Sequence, residues 1–241
     1  MKCLIVIPAF NEESSLGQVL DGLLAMELET GILVVDDGSS DGTAELAKTY
    51  PIHVVSHPCN LGYGAALQTG FKFASYLGYS HVIQFDADGQ HSPKDIRVLM
   101  DALLDTDADV VIGSRFLGPN GFHPELSKRL AIGLFRSVIW LFTRMWITDP
   151  TSGLRGVARP VFLYYSVANR YPPDYPDADM VIHMLLHGWS LKEVPVRHKQ
   201  REQGVSMHSG IKPFIYMLKV LMSILSVVLG YYLAREETSS E

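Results

Sequence analysis

The chain has little cysteine and no excess of positive charge, and both shortages exclude classes of protein. Only Cys3 and Cys59 occur in 241 residues, and their spacing fits neither a zinc site nor a disulfide framework, which is typical of a reducing, cytosolic setting. The formal net charge is −6, so we expect no nucleic-acid partner. The apolar start is short and runs into Pro8, Asn11 and two glutamates, so we expect no signal peptide there.

Apolar residues are plentiful, at 47% of the chain, and before Arg115 they recur as strand-like runs separated by helix-like segments. The runs are CLIVIPA, GILVVDDG, IHVVS, HVIQFDAD and ADVVIGSR. Continuous apolar strands joined by helical crossovers predict an α/β fold, with a mostly parallel sheet covered by helices on both faces. The length fits one large domain, or a domain with an appendage.

Polar residues follow these predicted strands at their carboxyl ends. They occupy residues 8–12 after the first strand, 36–39 after the second and 86–90 after the fourth, with Ser114 and Arg115 after the fifth. In a parallel sheet such ends meet at one edge, which is where ligands of open α/β folds bind. The sequence therefore predicts a single binding crevice.

Two aspartates in this crevice are spaced like metal ligands. Asp86 and Asp88 point to the same face of an extended segment, and Gln90 is a further oxygen donor within reach. Carboxylate oxygens suit a hard divalent cation, Mg²⁺ or Mn²⁺, that shares its coordination shell with a diphosphate. The alternative is a pair of solvated loop aspartates, one of which caps the next helix.

The loops after the first two strands carry a second set of candidates. Asp36 and Asp37, followed by a Gly-Ser turn, could hydrogen-bond a nucleobase or ribose, but a plain turn with a helix cap uses the same residues. In PAFNEE, likewise, Pro8 could simply end the strand and Asn11 could cap a helix. Three such clusters at successive strand ends favour the binding site.

Two apolar segments follow the alternating region. Residues 126–146 form a predicted amphipathic helix with Trp140 and Trp146, and with Arg129, Arg136 and Arg144 on one side; it suits a membrane interface, or else packs on the core. Within residues 211–235, the stretch from Phe214 to Ala234 carries one charge, Lys219, and predicts a transmembrane, an interfacial or an oligomerisation helix. We favour membrane embedding of this helix, followed by a disordered tail over residues 236–241.

Five motifs follow one another along the chain: PAFNEE, VVDDGSSDGT, NLGYGAALQTGF, FDADGQH and GSR. In this order they resemble the motifs of the inverting, GT-A-type (Rossmann-like) family 2 glycosyltransferases. DPTSGLRG and VPVRHKQREQGVSMH narrow the resemblance to the dolichyl- or polyprenyl-phosphate sugar transferases, of which dolichol-phosphate mannosyltransferase is the best-known member. The resemblance implies a GT-A catalytic domain over residues 1–210. It also implies a metal-dependent hexosyltransferase.

The resemblance implies roles for individual residues. A metal, Mg²⁺ or Mn²⁺, would be held by Asp86, Asp88 and Gln90, and the catalytic residues would be Asp88, Arg115 and Arg201. The donor would be bound by Pro8, Ala9, Phe10, Glu12, Asp37, Gly38, Asp86, Ala87, Arg115, Arg201 and Ser206. Phe10 stands where the family often has tyrosine, and Asp177 and Asp179 stand where it often has paired glutamates.

The acceptor is expected to be a polyprenyl or dolichyl phosphate, and the donor GDP-mannose or a UDP-hexose. Such an acceptor is already an anion and needs positioning, for which arginine suits. The alternative acceptor, a sugar hydroxyl, needs a general base, with Asp149 or Asp179 as candidates. Under the phosphate hypothesis Asp149→Asn should retain transfer.

A catalytically silent scaffold subunit is a third hypothesis, but it predicts an eroded site, and Asp37, Asp86, Asp88 and Arg115 are all present. We expect membrane association with the catalytic domain on the cytoplasmic side. A small membrane-protein partner or a homo-oligomer would complete the unit, because some relatives carry more transmembrane helices than this chain offers.

Overall fold

Seven strands and eight helices make up the part of the chain that a computed structural model describes, namely residues 2–106, 108–118, 122, 124–172, 177–197 and 212–239. The strands are β1 (Cys3–Ala9), β2 (Thr30–Asp36), β3 (His53–Ser56), β4 (His81–Gln84), β5 (Val110–Ser114), β6 (Arg155–Ala158) and β7 (Leu191–Pro195). The helices are α1 (Glu13–Leu24), α2 (Thr43–Lys48), α3 (Tyr63–Tyr76), α4 (Lys94–Asp105), α5 (Leu126–Thr143), α6 (Arg159–Ser166), α7 (Ala178–Leu186) and α8 (Lys212–Ser239).

The strands form one mixed sheet in the order β3-β2-β1-β4-β6-β5-β7. All neighbours run parallel except β6, which lies antiparallel between β4 and β5. This confirms the predicted α/β fold with a mostly parallel sheet; β6 itself was not predicted. Because β6 runs the other way, the loop that leads into it lies at the edge where β4 and β5 end, so Arg155 pairs with Gln84.

Helices cover both faces of the sheet, as the continuous apolar strands predict. Along β1, Leu4 and Val6 face a core built with α3, α5, α6, α7 and α8. Cys3, Ile5 and Ile7 face a second core built with α1, α2 and α4. The central strand is therefore buried on both sides, which leaves the carboxyl edge as the place where polar groups gather.

Helix α5 ends earlier than predicted. Its last residue is Thr143, because Arg144 adopts a left-handed conformation (φ 60°) that stops the helix. Ile132, Phe135 and Ile139 are buried against the core. On the opposite side lies an exposed leucine stripe, formed by Leu126, Leu130, Leu134 and Leu141.

Helix α8 packs along α7 through one face and extends to Ser239, beyond the end at residue 235 that the sequence predicts. Val220, Ile224 and Val228 are buried, whereas Leu225 and other large apolar side chains on the far side are exposed. None of the helices in the described part of the chain combines the length and the apolar character that crossing a bilayer requires.

Candidate active site

The loops after β1 and β2 form one wall of the site. Asn11 N donates a hydrogen bond to Ser39 Oγ at 3.0 Å, and the Asn11 side-chain oxygen accepts one from Ser40 N at 2.8 Å. Asn11 has φ 54°, a left-handed conformation that asparagine tolerates better than most residues. Next to it the Phe10 side chain is 45% exposed, so its ring is accessible to a planar ligand.

The other donor-site candidates of the first loop are less accessible. Pro8 and Ala9 are buried, and the Ala9 carbonyl accepts a hydrogen bond from Asp37 N at 2.8 Å. The Glu12 backbone N–H donates to Thr43 Oγ1 at 2.9 Å, and its carboxylate accepts from Ser15 Oγ at 2.7 Å. The predicted contacts of Pro8, Ala9 and Glu12 with a donor therefore remain predictions.

Asp37 is buried in a network that shapes the next loop. Its two oxygens accept hydrogen bonds from Leu61 N and Gly62 N, each at 2.9 Å, and His57 Nδ1 lies 2.7 Å from Oδ1. Only 3% of the residue is exposed. The side chain thus holds residues 57–62 in place at the start of α3, a role that the sequence did not reveal. Binding of the nucleoside by Asp37 stays a prediction.

Gly38 is required by the backbone geometry of this wall. It adopts φ +71°, and a Cβ atom there would lie 2.5 Å from the carbonyl carbon of Cys59 and 2.8 Å from Asn60 N. Backbone atoms cannot move aside as a flexible side chain could. The loop after β2 therefore lies directly on the 59–60 segment.

The two predicted metal ligands lie in the turn that follows β4. Asp86 Oδ1 accepts a hydrogen bond from Tyr63 Oη at 2.8 Å, and its Oδ2 lies 3.4 Å from His91 Nε2. Asp88 Oδ1 accepts from the backbone N–H of Gln90 at 3.0 Å, which closes the turn. Tyr63, at the first position of α3, is a partner that the sequence analysis missed.

These carboxylates fit a divalent cation chemically. Burial opposes ionisation of Asp86, but the contacts with His91 and Tyr63 and the charge of Arg115 outweigh it and hold its pKa below the ordinary value. A metal-binding carboxylate must be ionised. The described residues contain no group of three or more His, Cys, Asp or Glu placed to hold a metal. Ala87, between the two aspartates, is buried.

Arg115 and Asp149 form a buried ion pair at the same edge. Arg115 N and Nε donate to Asp149 Oδ2 at 3.0 and 2.7 Å, and Arg115 Nη2 donates to Oδ1 at 2.8 Å. Asp149 is fully buried. Burial opposes its ionisation, but hydrogen bonding and charge from Arg115 prevail, so its pKa is lowered.

This pair bears on two expectations. Asp149 is not placed as a general base, because both of its oxygens are occupied by Arg115 and its lowered pKa makes it a weak base. Arg115 Nε and Nη2 donate to Asp149, so this pair of donors is not available to bind a phosphate. Within the described part of the chain its Nη1 makes no hydrogen bond, and that atom is the one left to contact a ligand.

A second buried arginine fixes the loop that carries Asp149. Arg155, at the start of β6, donates from Nε to the Ser152 carbonyl at 2.8 Å and from Nη2 to the Pro150 carbonyl at 3.2 Å. Ser152 Oγ in turn donates to the Gly113 carbonyl at 2.6 Å. These partners are backbone carbonyls, so side-chain patterns in the sequence could not indicate them.

The later candidates divide into described and undescribed residues. Asp179 accepts hydrogen bonds from the backbone N–H of Asp177 and Met180 and from Ser223 Oγ of α8, which makes it an anchor between helices. Burial raises the pKa of Asp177 to about 7; Arg155 opposes the rise and Asp179 adds to it. Arg201 and Ser206 lie outside the described residues.

Comparison with known proteins finds relatives over most of the chain. The model of Glycosyl transferase family 2 matches residues 4–163. The chain is 33% identical over 227 residues to the polyprenol monophosphomannose synthase of Mycolicibacterium smegmatis, covering 91% of this chain and 85% of that one. It is 28% identical over 240 residues to the UDP-N-acetylglucosamine–dolichyl-phosphate N-acetylglucosaminyltransferase of Methanococcus voltae, with 90% and 95% covered.

A solved structure shares the fold. Glucosyl-3-phosphoglycerate synthase from Mycobacterium tuberculosis, crystallised with Mn²⁺ and uridine-diphosphate-glucose, superposes with a TM-score of 0.65 at 21% identity, covering 94% of this chain and 78% of that one. The resemblance stated from the motifs and the predicted fold class are both confirmed. The chain therefore belongs to the family 2 glycosyltransferases.

Proposed function

We propose that the chain transfers a sugar, with inversion, from a nucleoside diphosphate to a polyprenyl or dolichyl phosphate. The Arg115–Asp149 pair carries the proposal, because it places a fixed cation near Asp86 and leaves Asp149 unavailable as a base. A phosphate acceptor is already a nucleophilic anion and needs such a cation more than a base. The names of both relatives include a polyprenol or a dolichyl phosphate, but differ in the sugar. The proposed donor is GDP-mannose or a UDP-hexose.

Each group has a defined part in this reaction. Asp86 and Asp88, with Gln90 beside them, would hold Mg²⁺ or Mn²⁺, whose charge stabilises the departing diphosphate. Arg115 is locked by Asp149, so its charge needs no reorganisation as negative charge develops nearby. The exposed Phe10 ring would lie against the donor base. Arg201 and Ser206 would close over the phosphates.

A transfer assay tests the proposal. Detergent-solubilised protein with Mg²⁺ or Mn²⁺ is given a panel of nucleotide sugars and three acceptors: polyprenyl phosphate, the unphosphorylated polyprenol and an oligosaccharide. The expected result is sugar on the lipid phosphate alone, with one donor preferred. Sugar that appears only on hydroxyl acceptors would contradict the proposal.

Transfer to a sugar hydroxyl remains the second candidate, because the pKa of Asp177, raised to about 7, suits a general base. We expect Asp177→Asn to change the transfer rate to polyprenyl phosphate by no more than a few-fold. If Asp177 were the base, the loss would be about 100-fold or more. Asp149→Asn does not distinguish a phosphate acceptor from a hydroxyl acceptor, because Asp149 holds Arg115 in either reaction. We therefore expect this variant to lose transfer, in contrast to the retained transfer expected from the sequence.

We further propose that the exposed leucine stripe of α5 rests on the membrane that supplies the lipid, with the catalytic domain on the cytoplasmic side. A small membrane protein or a second copy of the chain would complete the unit. Exposed leucines favour the acyl boundary of a bilayer, and Arg129, exposed on the same helix, suits anionic headgroups.

Leu130→Gln combined with Leu134→Gln is expected to weaken binding to phosphatidylglycerol–phosphatidylcholine vesicles about 100-fold or more, because each leucine that the membrane buries contributes about 1.5–3 kcal/mol. Vesicle flotation measures the partition coefficient. Leu104→Gln is the control, because Leu104 is 53% exposed but lies on α4. Equal binding of the double variant and the wild type would contradict this placement.

A further inference from the structure

Glu193 lies on β7 and binds the loop that carries Asp149. Its Oε2 accepts a hydrogen bond from Thr148 N at 2.7 Å, and its Oε1 accepts from Asp149 N at 2.8 Å and from Thr148 Oγ1 at 2.9 Å. Both carboxylate oxygens are thus used on two consecutive residues. Hydrogen bonds to an ionised acceptor are roughly twice as strong as those between neutral groups.

Thr148 is also held from the other side. Arg136 Nε of α5 donates to the Thr148 carbonyl at 2.8 Å, and its Nη2 contacts the same oxygen. The Arg136 guanidinium also stacks on the Phe116 ring, 4.2 Å from its centroid. Thr148 is therefore fixed at its N–H by Glu193 and at its carbonyl by Arg136. Arg136, which the sequence placed on one side with exposed arginines, is turned towards the site instead.

Thr148 and Asp149 connect Glu193 to Arg115 at the proposed reacting centre. Thr148 Oγ1 lies 2.6 Å from Ser114 Oγ, and Asp149 holds Arg115 through three hydrogen bonds. A continuous path thus runs from Glu193 through Thr148 and Asp149 to Arg115. Because the ion pair is bidentate and buried, we expect a shift of the Asp149 backbone to move the Arg115 guanidinium with it.

We infer that Glu193 is a positioning residue for sugar transfer, acting through Asp149 on Arg115. It touches no reacting group, and its effect is to fix where the arginine charge stands. Glu193 thereby ties β7 to the loop that carries Asp149. The inference rests on the proposed transfer at this site, whichever sugar is moved.

Glu193→Gln is the test variant, because it keeps the size of the side chain but places an amide N–H₂ where one oxygen accepts. We expect kcat to fall about 10- to 100-fold, as small displacements of catalytic groups do, with the KM for the nucleotide sugar within a few-fold of the wild type. Hydrogen exchange in peptides covering residues 147–152 should become faster.

Asp109→Asn is the matched control. Asp109 Oδ2 accepts hydrogen bonds from Ser190 N and Ser190 Oγ, each at 2.8 Å, and so ties the opposite end of β7 to β5. This variant loosens the same strand away from the site, and we expect kcat and the exchange of residues 147–152 to stay unchanged.

The outcomes distinguish the positioning role of Glu193 from the proposed transfer to polyprenyl phosphate. A kcat for Glu193→Gln no lower than that of Asp109→Asn would overturn the positioning role while leaving the proposed function intact. If the wild type moves no sugar to polyprenyl phosphate, the proposed function fails, and hydrogen exchange decides on Glu193 without substrate. Unchanged exchange over residues 147–152 in Glu193→Gln would then overturn the inference.

Discussion

Asp149→Asn is expected to lower the rate of sugar transfer about 100-fold, a loss comparable to that of one preorganised charge-stabilising group in other active sites. Arg115 would keep its charge but lose the carboxylate that fixes it at Nε and Nη2. Because the pair is buried, removal of one partner also destabilises the fold, by about 3 kcal/mol or more. Chemical denaturation and the transfer assay measure the two losses separately.

The stability loss should depend on pH. The folded-state pKa of Asp149 lies below its ordinary value of 3.8, so the stabilisation is fully present above that pH and is lost as the pH falls towards the folded pKa. The difference in free energy of unfolding between wild type and Asp149→Asn should therefore be constant near neutrality and shrink below about pH 4. Asp101→Asn, at an exposed position on α4, is the control. A folded Asp149→Asn protein with wild-type turnover would refute the role of the pair.

The second large effect is expected for Asp88→Asn. Transfer should fall at least about 100-fold, because the proposed cation loses one of its two carboxylate ligands and several kcal/mol of charge stabilisation with it. Folding should survive, since the asparagine side-chain oxygen can still accept the hydrogen bond from Gln90 N that closes the turn. The residual activity should no longer respond to chelator.

Binding of Mn²⁺, followed by electron paramagnetic resonance in the presence of a nucleoside diphosphate, gives a readout that is independent of turnover. The wild type and Asp101→Asn should bind alike, and Asp88→Asn should bind markedly more weakly. If Asp88→Asn binds Mn²⁺ as well as the wild type does, Asp88 is not a ligand and the metal site lies elsewhere.

Much of this fold follows from local sequence signals. The strands from β1 to β5 are continuous apolar runs with a helix-forming segment after each of the first four, so their direction and the polar edge could be predicted. β6 could not, because it is four residues long and contains Arg155 and Gly156. Its buried arginine donates to backbone carbonyls, which carry no side-chain signature.

The candidate site shows the same division. The sequence placed Asp86, Asp88 and Arg115 at one edge because each follows a strand. It could not show that Asp149, 34 residues from Arg115, is that arginine's partner. Nor could it show that Asp37 is engaged by the backbone of Leu61 and Gly62. Such long-range pairings depend on topology.

The close contact between Gly38 and the 59–60 segment has a practical consequence. Cys59 is exposed there, beside the wall proposed to receive the donor, whereas the other cysteine, Cys3, is buried and burial raises its pKa to about 12. A thiol-reactive fluorophore will therefore attach to the unmodified chain at one position. Nucleotide binding can be followed by its emission without first engineering away competing thiols.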